Sequence, residues 1–115
     1  MAEEEKVDPI AEGKRIARNY FSALIWAREQ RRMATGRTMR MTDRDQFLRR
    51  ADEWETRAEE EFGQAVDKWR HNWSKTAKEV IRTIVEELDK RKDLSFFGRR
   101  IIEHCKHDLE KRPVE

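Results

Sequence analysis

The chain has 115 residues and a net charge of +2, and 43% of its residues are charged against 37% that are hydrophobic. This length supports one domain with one core, and the regularly recurring apolar residues, with four Trp and five Phe among them, exclude a disordered chain. Because glycine is rare and no stretch alternates between polar and apolar residues, we predict an all-α fold, a helical bundle of three to four helices with a long central helix.

The sequence divides into three parts. We assign residues 1–8 to a flexible acidic N-terminus, 9–112 to a single all-helical domain and 113–115 to a C-terminal tail. The N-terminus does not resemble a secretory signal, and no apolar run approaches the length of a membrane span. The only cysteine, Cys105, cannot form an internal disulfide, which fits a reducing compartment. We therefore expect a cytoplasmic protein with no membrane partner.

The first helix is predicted to begin at Asp8, whose carboxylate can cap the free amides while Pro9 occupies the first helical position. Gly36 is expected to end it. Ile25 and Trp26 widen the apolar stripe, which predicts contact with two neighbours or with another chain. The inward side would consist of Ile10, Ala17, Tyr20, Phe21 and Leu24.

The stretch from Thr35 to Met41 reads as a connector, and Thr42 with Asp45 forms a start like a capping box for the second helix. From there the period of one helix face continues to Leu88 without a proline, over a length of roughly 60 Å. The apolar residues that carry it are Phe47, Ala51, Trp54, Ala58, Phe62, Ala65, Trp69, Trp73, Ala77, Val80, Ile84 and Leu88.

A break in this long helix is expected at His71–Ser74, because Asn72 and Ser74 prefer helix caps to helix interiors. Two architectures follow. A continuous helix would give an elongated molecule that exposes apolar surface and self-associates, whereas a break would fold the chain into a four-helix bundle.

The last helix is predicted to start at Ser95, which can cap it after a turn over 93–95, and to end at Pro113. Its inward side would carry Phe97, Ile101, Cys105 and Leu109.

Charge is segregated along the sequence. From Arg28 to Arg50 there are eight arginines against three acidic residues, a balance of +5. Residues 52–67 have a balance of −6, and residues 68–82 return to +4. Arginine binds phosphate through two parallel hydrogen bonds, so the first basic block predicts contact with a nucleic-acid backbone. The alternative is that these arginines form ion pairs with the acidic block or with another subunit.

The second basic block interleaves Trp69 and Trp73 with cations, a mixture that suits stacking on exposed bases. Both tryptophans also lie on the apolar stripe, so the alternative is that they are core residues. The predicted nucleic-acid contacts, of which we favour the three at or beside the connector (Arg37, Arg40 and Arg44), are Arg28, Arg31, Arg32, Arg37, Arg40, Arg44, Lys68, Arg70 and Lys75.

No residue set defines a reaction. The chain has no Gly-rich phosphate loop and no nucleophile that follows a strand, and it lacks the repeated Glu-x-x-His spacing of di-iron bundles. His104, Cys105, His107 and Asp108 lie close together on the last helix, but a zinc site usually takes three or four ligands and no second group is apparent. We therefore expect no enzyme activity, no metal and no cofactor.

Two functions remain open. The first is a non-enzymatic helical subunit of a larger assembly that contacts nucleic-acid backbone, DNA or RNA, through its arginine-rich face. The second is a protein-binding adaptor or inhibitor that docks a protein partner through its segregated charged faces. In both cases the spare apolar surface predicts a protein partner or a homo-oligomer.

Overall fold

The computed structural model describes residues 8–36, 41–91 and 93–114, and these residues form α-helices with no strand among them. The four helices are α1 (Pro9–Gly36), α2 (Met41–His71), α3 (Lys75–Leu88) and α4 (Phe96–Lys111). The predicted all-α bundle is confirmed.

The start of α1 follows the prediction. The backbone amide of Ile10 donates to Oδ1 of Asp8 over 3.1 Å, and Pro9 is the first residue of the helix while Gly36 is the last. α2 begins at Met41, so Thr42 lies inside the helix and its predicted role as a cap is wrong, although the boundary itself differs only by the usual one or two residues. Most of the predicted connector, residues 37–40, lies outside the described residues.

The chain reverses between α2 and α3. α2 ends at His71, and Ser74 has an extended backbone and accepts a hydrogen bond on Oγ from the amide of Ala77 over 3.1 Å. Ser74 therefore caps α3, and its hydroxyl takes one of the amides that a helix start leaves without a partner. The predicted break at His71–Ser74 is confirmed, and the continuous middle helix is wrong.

α1 and α2 pack as an antiparallel hairpin. The rings of Tyr20 and Phe62 stack with their centroids 4.2 Å apart, and Trp26 meets Trp54 further along, with centroids 4.9 Å apart. α3 and α4 then pack against one side of this hairpin and against each other. The result is an elongated bundle of 57 × 27 × 18 Å.

Unequal helix lengths divide the hairpin into two halves. α3 and α4 have 14 and 16 residues, whereas α1 and α2 have 28 and 31. The short helices cover only the half of the hairpin near Asp8 and His71, where most of the core lies. The largest fully buried side chains there are Leu24, Val66, Val80, Ile81, Ile84, Leu88, Ile102 and Cys105.

The other half of the hairpin extends past α3 and α4, and we call it the arm: residues 25–36 of α1 and 41–57 of α2. Its helices meet through fully buried Ala27, Ala34 and Ala51, and buried Ala58 continues the seam. Ala27 and Ala34 are seven residues apart, as are Ala51 and Ala58, and this spacing keeps each pair on one stripe of its helix. Because an alanine buries little apolar area, the arm has a thin core.

α4 joins the bundle through Ser95, as predicted. Its Oγ accepts from the amide of Gly98 over 3.2 Å and lies 3.0 Å from the hydroxyl of Tyr20. Gly98, Ile102 and Cys105 are buried in this helix, and the predicted Ile101 and Leu109 are partly buried against the core, so the centre of the inward face lies between the predicted residues and Ile102. Phe97 is consequently 42% exposed.

Two other predicted core residues are exposed. Ile10 is 51% exposed, because it lies in the first turn of α1 at the end of the bundle, where fewer helices surround a side chain. Trp54 is 43% exposed, because it lies on the side of α2 that points away from α4, where it meets Trp26 of α1.

Candidate functional site

Among residues 8–36, 41–91 and 93–114, no helix covers one side of the hairpin. Gly63 of α2 faces Phe97 and Ile101 of α4, and Trp54 lies nine residues before it, which is two and a half turns of helix and therefore the opposite side. We call this side the open face and define it by Asn19, Ala23 and Trp26 on α1 and by Arg50, Trp54, Arg57 and Glu61 on α2.

A tryptophan pair lies at the centre of the open face. Trp26 and Trp54 contact each other with an interplanar angle of 47°, and they are 42% and 43% exposed. The alanine seam beside them brings the two helix axes close, so two indoles from different helices can meet at the surface. Large half-exposed aromatic residues of this kind are typical of binding surfaces rather than of a monomer's solvated exterior.

Charged groups border the tryptophan pair. Arg50, Glu53 and Arg57 line one concave surface together with the two indoles. Arg57 also forms a loose ion pair with Glu61, with 3.9 Å between Nε and Oε1. The border therefore carries both signs of charge.

Small side chains open a crevice next to the tryptophan pair. Its volume is about 130 Å³, and Ala23, Ala58 and Ala65 form part of its lining while Asn19 and Glu61 stand at its edge. The open face thus presents bulky residues and, one turn further on, a recess that an apolar side chain of a partner can enter.

Several of the predicted nucleic-acid contacts are held in ion pairs. Nη1 of Arg28 lies 2.9 Å from Oδ2 of Asp93. Arg31 donates from Nη2 to Oδ1 of Asp52 over 2.7 Å and also bonds Glu55, and these hydrogen bonds raise the pKa of Arg31 above its ordinary value. These pairs lie on the side of the arm that continues from α3 and α4, where they cover the alanine seam in place of a helix.

Arg70 of the second basic block is paired in the same way. Its Nε donates to Oδ2 of buried Asp108 over 2.6 Å, and this hydrogen bond raises the pKa of Arg70. Trp69 beside it is buried and Trp73 is half-buried under the guanidinium of Arg112. The core interpretation of Trp69 and Trp73 is confirmed, which leaves neither of them free to stack on a base.

The remaining predicted contacts are scattered. Nε of Arg44 donates to the carbonyl of Ala34 over 3.2 Å and so ties the start of α2 to the end of α1. Arg32, Lys68 and Lys75 are exposed at separate places on the surface. Arg37 and Arg40 lie outside the described residues.

The charge of the arm is nearly balanced. Its described residues include seven arginines and six carboxylates, a balance of +1, because the hairpin brings the acidic part of α2 beside the arginines of α1. The ion pairs among the described residues do not involve Arg32, Arg49 or Arg50. Within the described part of the basic block, these three exposed guanidiniums stay available to a ligand.

The candidate metal ligands remain apart from any site. Cys105 is fully buried, and burial raises the pKa of its thiol to about 12, whereas His104 and His107 are exposed. Among residues 8–36, 41–91 and 93–114, no three His, Cys, Asp or Glu side chains are placed to hold a metal ion. The helices in these ranges also include none with the length and hydropathy of a bilayer span.

Sequence reasoning missed Trp54 as a surface residue. Its place on the apolar stripe predicted burial, and the sequence carried no signal that α3 and α4 would cover the other side of the hairpin. Trp26 did carry a usable signal, because together with Ile25 it made the stripe too wide for one neighbouring helix.

Comparisons with known proteins give no family assignment: the chain matches no protein-family model, no curated protein and no solved structure.

Proposed function

We propose that this chain is a non-enzymatic protein-binding module whose open face docks a helical segment of a protein partner. The observation that carries the proposal is the contact between Trp26 and Trp54, each about half exposed, on a side of the α1–α2 pair that α3 and α4 leave uncovered. Tryptophan and arginine are the residues that most often dominate the energy of a protein interface, and here Arg50 and Arg57 flank both indoles.

The shape of the open face suits a helix. Ala23, Ala58 and Ala65 form part of the lining of the crevice beside the tryptophan pair. An amphipathic helix presents apolar residues at intervals of three or four, so one of them can enter this crevice while another packs on the indoles. The mixed charge of the border favours a partner that also carries both signs of charge.

A capture experiment with source-cell extract tests this function. The wild-type chain and the double variant Trp26→Ser/Trp54→Ser are immobilised, and the proteins that each retains are compared. Phe96→Ser is the matched control, because Phe96 is 83% exposed on α4, away from the open face. We expect a retained protein to be lost only with the double variant, while circular dichroism shows that all three chains fold. Identical sets of retained proteins would contradict the proposal.

Nucleic-acid binding is the second candidate, and the observation that favours it is the exposure of Arg32, Arg49 and Arg50 outside the ion pairs of the described chain. Phosphate contact by such arginines needs no aromatic platform. The dependence of nucleic-acid affinity on salt concentration tests this candidate.

A further inference from the structure

We propose that the partner on the open face is a second copy of this chain, docked as a two-fold symmetric antiparallel dimer. This inference rests on the proposed protein-binding function and names its occupant. It follows from the arrangement of side chains along the exposed edge of α2, which is complementary to itself when reversed.

Six exposed residues of α2 form this edge. At 100° per residue they lie within about 60° of one another around the helix. The spacing between them is seven, four, three, four and seven residues, which reads the same in both directions. In chain order they are Asp43, Arg50, Trp54, Arg57, Glu61 and Lys68.

A two-fold axis between residues 55 and 56 places α2 antiparallel to its copy and pairs residues whose numbers sum to 111. Arg50 then faces the second copy's Glu61, and Asp43 faces the second copy's Lys68. At the centre, Trp54 faces the second copy's Arg57, a geometry for a cation–π contact. Each pair occurs twice by symmetry, so one register satisfies four charge pairs and two aromatic contacts.

The same axis gives a compatible arrangement on α1. Trp26 and Trp54 lie at one level of the hairpin, so the axis passes between residues 24 and 25 of α1. Trp26 then faces the second copy's Ala23, which lines the crevice beside the tryptophan pair. The bulky residue of each copy therefore meets the recess of the other, while Asn19 faces the second copy's Gln30, and two amides can hydrogen-bond each other.

This register brings no like charges together on the open face. Glu53, which also borders the tryptophan pair, faces the second copy's Ala58. Like charges placed opposite each other weaken an interface, so their absence favours this register over the one in which paired numbers sum to 107, where Arg50 would face the second copy's Arg57.

The available area meets the requirement for a stable dimer. The stretch from residue 43 to residue 68 is roughly 39 Å long, and a pair of packed helices is about 20 Å wide. The face therefore offers close to 800 Å² per copy, which is the size of a standard specific interface.

Charge reversal tests the register directly. The mass of purified protein is measured by sedimentation equilibrium over a range of concentrations for the wild type, Arg50→Glu and Glu61→Arg. We expect a dimeric wild type and an increase of at least about tenfold in Kd for each single variant, because each places like charges opposite each other twice. An equimolar mixture of the two variants should recover the dimer, since Arg50→Glu in one copy then meets Glu61→Arg in the other.

Matched controls separate register from general charge effects. Arg49→Glu and Glu60→Arg make the same changes one residue away, off the edge, and should leave Kd unchanged. The single variants Asp43→Lys and Lys68→Asp form a second exchange pair. Their separate and mixed samples test the same axis. All these positions are exposed, and urea unfolding of each variant verifies that it folds.

Three outcomes would overturn the dimer. They are a monomeric wild type, a dimer that both single variants leave intact, and a mixture that fails to recover what the single variants lose. If the wild type is monomeric and still retains another protein through Trp26 and Trp54, the dimer is wrong while the protein-binding function stands. If neither self-association nor capture depends on these two residues, both fail.

Discussion

Nε of Arg70, near the end of α2, donates to Oδ2 of Asp108, near the end of α4, over 2.6 Å. Nη1 of Arg112 in turn donates to the main-chain carbonyl of Arg70 over 2.7 Å, which satisfies one of the carbonyls that a helix end leaves without a partner. These bonds fasten the C-terminal ends of two neighbouring helices, and they show how an arginine counted in a basic block can serve the fold.

Removing the buried carboxylate should destabilise the protein. Asp108→Asn is expected to lower the free energy of unfolding by about 1–3 kcal/mol, because it weakens a charge-assisted hydrogen bond made by the half-buried guanidinium of Arg70. Urea denaturation measures the change. Asp67→Asn is the control, since its carboxylate is 4.0 Å from Arg70 and 78% exposed, and it should change stability by less than about 0.5 kcal/mol. Equal losses in the two variants would refute the assignment.

Two glycine substitutions should change stability in opposite directions. A Cβ added at Gly13 would lie 2.8 Å from the carbonyl oxygen of Val80, so Gly13→Ala should push α1 and α3 apart and cost about 1–3 kcal/mol. A Cβ at Gly63 would lie 3.5 Å from the ring of Phe97, an ordinary contact, so Gly63→Ala should stabilise α2 by about 0.5–1 kcal/mol. Thermal unfolding distinguishes the two, and a stabilising Gly13→Ala would show that the α1–α3 contact is looser than described.

Stability should decrease at alkaline pH because of Cys105. Burial raises the pKa of this thiol from an ordinary value of 9.0 to about 12, so the folded state keeps a proton that the unfolded chain releases. The contribution of this thiol to the free energy of unfolding is complete below about pH 9 and is lost as the pH rises toward 12. Urea unfolding across this pH range measures the loss, and Cys105→Ala should reduce the slope of stability against pH.

The thiol of Cys105 should also be protected from reagents. In the native protein at pH 8 it should react with a disulfide reagent at least about a hundredfold more slowly than in the unfolded chain; similar rates would contradict its burial.

The arm should open more readily than the four-helix half. Its core consists of alanines, whereas the other half buries Leu24, Ile84 and Ile102, and local opening is easiest where little apolar surface is buried. In hydrogen exchange at low protein concentration, amides of residues 27–34 and 46–54 should exchange at least about tenfold faster than those of residues 80–86. Uniform protection along the hairpin would contradict this expectation.

The nucleic-acid hypothesis predicts a steep dependence on salt. Binding to a phosphate-rich column or to labelled DNA and RNA should weaken linearly in log Kd against log salt, and replacing Arg32, Arg49 and Arg50 together with Ala should flatten the slope by up to about three. Lys90→Ala is the single-charge control, because Lys90 is exposed in the turn after α3 and outside the arm. It should change the salt slope by less. An unchanged slope in the triple variant would remove these three residues as contacts.

Much of the fold could be predicted because it depends on local chemistry. Asp8, Ser74 and Ser95 are cap residues whose side chains can reach a free amide in any helix that starts after them, so their roles were readable from the sequence. The exposure of Trp54 was not readable, because it depends on which side of the hairpin α3 and α4 cover after the chain has folded back. A periodic pattern identifies the face of a helix but not whether a neighbour covers all of it.

The pairing of the arginines was only partly predictable for the same reason. A helical hairpin places Arg31 near the acidic start of α2, and its bonds to Asp52 and Glu55 follow from that geometry. The pair between Arg28 and Asp93 joins residues 65 positions apart in sequence, and only the packing of α3 against α1 brings them together.

Both described ends of the chain lie at one extremity of the molecule. α1 starts and α4 finishes beside the corner at His71, as the bond from Arg112 to Arg70 requires, whereas the tip of the arm is roughly 40 Å away along α1. A fluorophore, a fusion partner or a solid support attached at either end therefore stays clear of the tryptophans. Single-molecule and biosensor formats can present the whole length of the hairpin to solution without blocking it.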